Sequence, residues 1–356
     1  MALIQPLPEG ALDIVGDIHG EFDALCALLR QLGYDEHGGH PDCRTLVFVG
    51  DFCDRGPNSP AVIALVERFV KAGRACAILG NHEINLLRGD AKEGAGWYFD
   101  ARCDSDQDKY APFCRPDSAT RAAIQRFLES LPIALERVDV RVVHAAWRDE
   151  EIAAVRAVPE GELLQRYGAW EHAATAQADG LRASMAAELR AWPYGLENRD
   201  VQPPFMQAHA DYDAVRQMRN PLKVLTSGVE RHSAAPFFAS GKWRFAERVQ
   251  WWNEYEGGTP VIIGHYWRRC HLVDRGDVGK GDPNLFQAID PCAWHGQDGK
   301  VFCVDFSVGG RWVERRDGGP VGANFRLAAL RWPERILQFD DGHRFGTQGF
   351  LERQLP

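Results

Sequence analysis

Three times in the first quarter of the chain a short apolar run is cut off by glycine and followed at once by a polar side chain. Leu12–Val15 ends at Gly16-Asp17, Leu46–Val49 at Gly50-Asp51, and Cys76–Leu79 at Gly80-Asn81. Runs this short and this apolar read as strands covered on both faces. Between the first two, Phe22, Leu25, Leu28, Leu29 and Leu32 recur at helical spacing, with Gly33 placed as a C-terminal cap. After the second, Ser59 stands as N-cap and Pro60 at the first helical position. Val62, Ile63, Leu65, Val66 and Phe69 then make an apolar stripe. Strand, helix, strand, helix, strand at this pitch predicts successive βαβ units and a parallel sheet. Ligands of such sheets bind beyond the carboxyl ends of the strands.

The loops at those ends read GDIHGE (16–21), GDFCDRG (50–56) and GNHE (80–83). Two more apolar runs end in the same manner: Val140–Val143 at His144, and Val261–Ile263 at Gly264-His265. Asp, Asn and His offer oxygen and imidazole donors suited to manganese, iron or zinc, and no thiolate is among them. Singly, each motif has an ordinary reading. GDIHG can be a turn with a capping aspartate, DRG a surface turn, and His144 a satisfied histidine at the core edge. Five strand ends that each deliver a potential ligand argue for one common site.

Composition narrows the class. The chain has 356 residues, 45% hydrophobic and 26% charged, which suits one large domain with insertions or two domains. A formal charge of -9 argues against a broad grip on nucleic acid or an anionic membrane. Met1–Gly10 lacks a charged segment followed by an apolar one, and no apolar stretch approaches membrane-spanning length. The nine cysteines show no CxxC spacing, and Cys26, Cys53, Cys76 and Cys303 lie in or beside apolar runs. Buried thiols in a reducing cytoplasm are expected, in preference to a zinc site or a disulfide framework.

The series GDIHG, GDFCDRG, GNHE, VVHA and GHY resembles the calcineurin-like metallophosphoesterase superfamily. Its DRG and GNHE forms are similar to the phosphoprotein-phosphatase branch, which includes bacterial phosphatases and diadenosine tetraphosphate hydrolases. The resemblance covers roughly residues 11–145 and 259–310. It implies a four-layer α/β/β/α sandwich around two divalent metal ions, manganese in first place with iron or zinc as alternatives. Asp17, His19 and Asp51 would hold the first metal, with Asp51 bridging to a second held by Asn81, His144 and His265. Arg55 would hold the substrate phosphate, and His82 with Asp54 would handle the proton.

Each implied role has a physical reason. Two nearby cations repel, so a bridging carboxylate and a bridging hydroxide are needed between them, and the same cations acidify that water. A guanidinium can chelate two phosphoryl oxygens. Imidazole is suited to protonate a departing alkoxide, and a carboxylate on its other nitrogen fixes the tautomer. Trp267 stands where many superfamily members carry a further metal histidine, although the phosphoprotein-phosphatase branch also lacks it. That branch uses a second phosphate-binding arginine, for which Arg231, Arg268 and Arg269 are candidates here. Asp305, in VFCVDFSVGG, is expected to support the ligands or the fold.

A single domain over 1–356 is expected, with an inserted, partly helical cap at about 146–258. Trp243, Trp251 and Trp252 are expected to pack that cap against the core; the alternative is stacking on a substrate ring. Leu327–Trp332 and Arg335–Phe339 predict a hairpin at the edge of a second sheet. The function expected is dimetal hydrolysis of a phosphomonoester, phosphoserine or phosphothreonine protein included, by direct attack of the bridging hydroxide. The first alternative is a dinucleoside polyphosphate hydrolase, with Arg268 and Arg269 on the further phosphates. The second is a catalytically idle metal-binding interaction module. Expected partners are a phosphorylated small molecule, a nucleotide or a phosphoprotein, with no membrane.

Overall fold

The computed structural model describes residues 1–271 and 284–351. Residues 272–283 and 352–356, part of the single domain expected over the whole chain, lie outside them. The strands run β1 (Ile4–Pro6), β2 (Leu12–Val15), β3 (Thr45–Phe48), β4 (Ala75–Ala77), β5 (Ala134–Glu136) and β6 (Arg141–Val143). They continue as β7 (Glu230–Ala239), β8 (Lys242–Arg248), β9 (Val261–Ile263) and β10 (Val301–Cys303). β11 (Ala328–Trp332), β12 (Ile336–Phe339) and β13 (Arg344–Gly346) close the series.

Two larger sheets result, in a mixed α/β fold. One has the order β13-β12-β11-β2-β3-β4 and the other β1-β5-β6-β9-β10. β2, β3 and β4 are parallel, as the glycine-stopped runs predict. Alternation along these strands sends side chains to two different apolar clusters, so both faces are buried. Leu12, Ile14, Val47 and Val49 meet Val142, Ile262, Phe302 and Val304 of the other sheet in one cluster. Val15, Leu46 and Phe48 face the other way, into the cluster that holds the helices Phe22–Leu32 and Ser59–Lys71. On the second sheet, Val143, Val261 and Ile263 belong to that same outer cluster with Ile152, Val155, Leu222 and Leu225 of two further helices.

Asp13 interrupts the first apolar run and is fully buried. Its carboxylate accepts two bonds from Arg44 (2.9 Å each), one from Tyr34 Oη (2.8 Å) and one from Arg331 (3.1 Å). A buried charge is tolerated only when it is paired in this way.

Gly33 caps the first helix in the left-handed region, at φ 95°. The second helix differs from expectation. Asn58 is the N-cap, accepting from Ala61 N, and Ser59 is the first helical residue. The Ser59 hydroxyl is engaged elsewhere, accepting from the Asp54 backbone N–H of the DRG loop (3.0 Å). The C-terminal hairpin forms, but not in the second sheet. β11 pairs antiparallel with β2, so the hairpin extends the same sheet as the three glycine-stopped strands, and β13 is its edge. β11 is nearly all buried, which suits an interior strand.

Between β6 and β9 lie helices Asp149–Arg156, Leu163–Asp179, Arg182–Ala191, Gln207–Met218 and Pro221–Ser227, then the antiparallel β7–β8 ribbon. Trp243, Trp251 and Trp252 of this region are buried packing groups. Trp251 Nε1 donates to Ala145 O (3.1 Å), Trp252 stacks on Phe286, and Trp243 joins Phe245 and Met206. All nine cysteines are unpaired. Among the described residues no helix is long and apolar enough to cross a membrane.

The close approach of the two sheets at the strand ends rests on Gly16, where a Cβ would lie 2.4 Å from Val304 O. Gly16→Ala is expected to destabilise the fold by about 1–3 kcal/mol, the cost of overpacking. Denaturant unfolding checks this; an unchanged midpoint would show that the two ends are not tightly apposed.

Candidate metal centre

The carboxyl ends of β2, β3, β4, β6 and β9 converge, and the five loops there pack through backbone. Ile18 N and His19 N both donate to Asp51 O (2.9 Å). Gly264 and Gly80 leave no room for a side chain: a Cβ would lie 2.1 Å from Asp17 Oδ1 and 2.2 Å from Asp51 Oδ1, respectively. Five site residues without glycine's freedom still take positive φ: His19 (48°), Asp51 (50°), Asp54 (72°), Arg55 (68°) and His265 (66°). Such conformations cost free energy and persist where the surroundings over-determine them.

Asp51 sits at the middle. Its Oδ1 accepts from His82 N (3.0 Å), and its Oδ2 lies 3.3 Å from His144 Nε2 and 3.8 Å from both His19 Nε2 and His82 Nε2. Two compact groups of ligand-type atoms form around it, His19–Asp51–His82 and Asp51–His144–His265, with all atoms of each within 4.8 Å of one another. Asp51 belongs to both. Asn81 Oδ1 lies 2.9 Å from His265 Nδ1 and 3.3 Å from His144 Nε2. Asp17 accepts from His265 N through both oxygens (3.2 and 3.0 Å). His19 Nδ1 donates to Cys53 O (2.9 Å) and His144 Nδ1 to Val49 O (2.8 Å), which turns each Nε2 inward.

Beside the first group lies a second constellation. His82 Nδ1 donates to Asp54 Oδ2 at 2.5 Å, and Asp54 Oδ1 accepts from Trp97 Nε1 at 2.6 Å. The Arg55 guanidinium lies 3.1 Å from His19 Nε2 and 3.2 Å from His82 Nε2, and its carbon is 4.9 Å from the centre of the Trp267 ring. So Trp267, in place of a further histidine, props the arginine.

The electrostatics match this crowding. Burial, with Asp305 and Asp51 nearby, pushes the Asp17 carboxyl well above its usual range. Burial and then Ser307 N and Asp51 act on Asp305, whose carboxyl ends up raised to about 6. Burial opposes ionisation of Asp51 too, but His144 and His82 hold it well below the usual range. Burial works against a charged His82 as well, yet Asp51 and Asp54 keep it above its ordinary value. Buried His265 Nε2 and Asp305 Oδ2 have no hydrogen-bond partner. Clustered buried carboxylates, inward imidazole nitrogens and orphaned polar atoms fit divalent cations, which would satisfy all three.

The structure does not bring the three proposed phosphate arginines here. Arg231 is exposed and pairs with Glu254 at 2.5 Å. Arg268 is buried, donates to Cys303 O (3.1 Å) and Asp290 O (2.9 Å), and is enclosed by Phe286, Phe302 and Phe306. Arg269 lies over Phe325 and donates to Asn324 O. Each of the three is held by contacts elsewhere in the fold.

Arg248 is the arginine that does reach it. It ends β8, lines the same cavity as Arg55 and His265, and is the largest charged influence on His265 after burial. Nothing local marks it in the sequence, since its approach depends on how the β7–β8 ribbon is set down. Glu83, the last residue of GNHE, joins two of the loops. Fully buried, it accepts from Asp51 N (2.8 Å), Phe52 N (2.8 Å) and Gly80 N (3.0 Å), tying the β3 loop to the β4 loop. An acid three residues after a strand-ending glycine, in the first turn of a helix, is the signal that could have found it.

Residues 11–171 match the family model of calcineurin-like phosphoesterases, and the chain carries a metallophosphoesterase domain there. It is similar to the asymmetrical bis(5'-nucleosyl)-tetraphosphatase PrpE of Halalkalibacterium halodurans, with 49% identity over 79 residues, 21% of this chain and 32% of that one. The corresponding protein of Bacillus subtilis is 43% identical over 81 residues, 22% of this chain and 33% of that one. The chain thus spans about a third of the length of the curated relatives it matches. Among solved structures, a cold-active protein-tyrosine phosphatase of a Shewanella species is 17% identical. It aligns with 98% of this chain and 83% of that one at a TM-score of 0.46.

Removing Glu83 tests the tie between the loops. Glu83→Ala leaves three buried N–H groups unpaired, at about 1–3 kcal/mol each. The expected outcome is a lower unfolding midpoint together with weaker divalent-metal binding by calorimetry. Intact metal affinity in a folded variant would show that Glu83 does not position Asp51.

Proposed function

We propose that the chain hydrolyses phosphate esters at this centre. The observation that carries the reading is Asp51: one carboxylate shared by two ligand groups, with the Arg55 guanidinium and the Asp54–His82 pair alongside. Asp17, His19 and Asp51 would hold one divalent cation, and Asp51, Asn81, His144 and His265 a second, manganese in first place. Such a pair, when bound, supplies Lewis acidity and a water acidic enough to attack phosphorus at neutral pH. The protein does the rest. Arg55, propped on Trp267, holds two phosphoryl oxygens, and Arg248 meets them from the opposite wall of the cavity. His82 Nε2 donates its proton to the leaving oxygen as the P–O bond breaks, while Asp54 holds Nδ1–H and Trp97 holds Asp54. A metal-binding module without turnover would have no use for that oriented acid.

A phosphomonoester, such as a phosphoserine or phosphothreonine side chain, is the substrate proposed first. The cavity beside the site favours a second reading, a substrate with several phosphates. It has a volume of about 1120 Å³ and is lined by eight cationic residues, Arg55 and Arg248 included, against Asp213, Glu230 and Glu247. The named tetraphosphatase relatives are consistent with it over the stretch they share. We further propose that residues of about 146–258 cap a single domain, since Arg248 and most of that wall come from them. The unpaired cysteines fit a reducing compartment such as the cytoplasm.

With p-nitrophenyl phosphate as reporter, a chelator should abolish turnover and Mn²⁺ should restore it. Full activity in stripped protein would overturn the dimetal reading. His82→Asn separates proton transfer from metal binding. Turnover should fall by about a hundredfold or more on esters with poor leaving groups. The loss should shrink for p-nitrophenolate, which needs little protonation. An equal loss across leaving groups, with metal released, would make His82 a ligand of the first group.

A further inference from the structure

One strand contributes four alternate residues to the cavity beside the metal centre. Lys242, Arg244, Ala246 and Arg248 of β8 all line the cavity, whereas Trp243 and Phe245 are buried in the cluster behind it. This is the alternation of a strand with one apolar and one cationic face. At about 3.3 Å per residue, Arg244 stands roughly 13 Å along the strand from Arg248, and Lys242 roughly 20 Å. Among the described residues no ion pair neutralises Lys242, Arg244 or Arg248. By contrast, Arg216 and Lys223, on the same cavity, both pair with Glu171. A protein of net charge -9 thus keeps a row of cations on one strand, leading away from its metal centre, with Glu230 across the ribbon from Arg248 and Glu247 beside it as the nearest carboxylates.

From this row we propose that β8 is a subsite for a linear oligophosphate chain. Its reacting phosphoryl group lies at the metal centre, and its further phosphates run along Arg244 and Lys242. The inference rests on the phosphoesterase reading and narrows its substrate class. A single phosphoryl group held by Arg55 and Arg248 cannot touch cations this far out; a chain of phosphates can. Focusing of the field in a cleft lined with one sign of charge strengthens the attraction.

Inhibition of p-nitrophenyl phosphate turnover by orthophosphate and by a linear inorganic polyphosphate long enough to reach from the metal centre to Lys242, on the Mn²⁺-loaded full chain, tests this. In a Lys242→Ala/Arg244→Ala variant the inhibition constant for the polyphosphate should rise at least about tenfold, and that for orthophosphate less than about threefold. A ratio of the two constants equal to the parent's would overturn the proposal. Ala246→Lys adds a cation to the row and should tighten the polyphosphate alone, a gain that a folding defect cannot mimic; no gain also counts against the ladder. Should the parent turn over no ester, the phosphoesterase reading fails. Calorimetric titration with the polyphosphate then still decides the subsite. An adenosine 5'-polyphosphate of the same length separates the sources: tighter inhibition assigns the chain to a nucleotide, equal inhibition to an inorganic polymer, and both support the row.

Discussion

The structure turns on the placement of one buried carboxylate. Asp51 is held through its backbone N–H by Glu83, through its carbonyl by Ile18 and His19, and through Oδ1 by His82 N. Only Oδ2 remains, and three imidazoles face it. An acceptor so fixed, in a site where Asp17 and Asp305 are also buried, demands positive charge close by. Divalent cations answer that demand with less motion than any side chain, since the loops are already shaped around the spot. The glycines at 80 and 264 and the left-handed residues are the cost of bringing the strand ends so close.

Around that point the two sheets divide the work. The parallel β2–β3–β4 set delivers Asp17, His19, Asp51, Asp54, Arg55, Asn81 and His82; the other sheet delivers His144 and His265 after β6 and β9. Their shared apolar cluster fixes the distance between the two deliveries. Loss of packing there would be felt at the centre because close-packed interiors transmit strain. His82 lies on the first sheet's side only. Its link to Asp54 and Trp97 therefore depends less on the alignment of the sheets than the second ligand group does.

The long segment between β6 and β9 plays a different part. Its Trp243, Trp251 and Trp252 are spent on packing, and its contribution to the centre is charge. It supplies six of the eight cationic residues that line the cavity, and in a chain with an excess of acids these make a local field opposite in sign to the whole molecule's. Such a field selects for anionic substrates and has no bearing on a broad nucleic-acid surface.

How much could be read in advance follows from what is local. Leu12–Val15 and Val261–Ile263 are strands to the residue, and Gly33 caps its helix, because burial on both faces and left-handed backbone write themselves into adjacent residues. The ligand-type residues were legible for the same reason: each stands directly after its strand. Ser59 was misread as a cap because its hydroxyl answers to Asp54 across the loop. The β11–β12 hairpin was assigned to the wrong sheet because pairing with β2 depends on a partner more than three hundred residues away. Arg231, Arg268 and Arg269 were plausible by number and failed by direction. Arg248 was invisible, since a cation at the end of one strand gains its meaning only when the ribbon is laid against another sheet's histidine. The sequence by itself determined which side chains sit at strand ends; tertiary structure decided which cations face them, because direction and distance between remote segments are set by packing and not by adjacency.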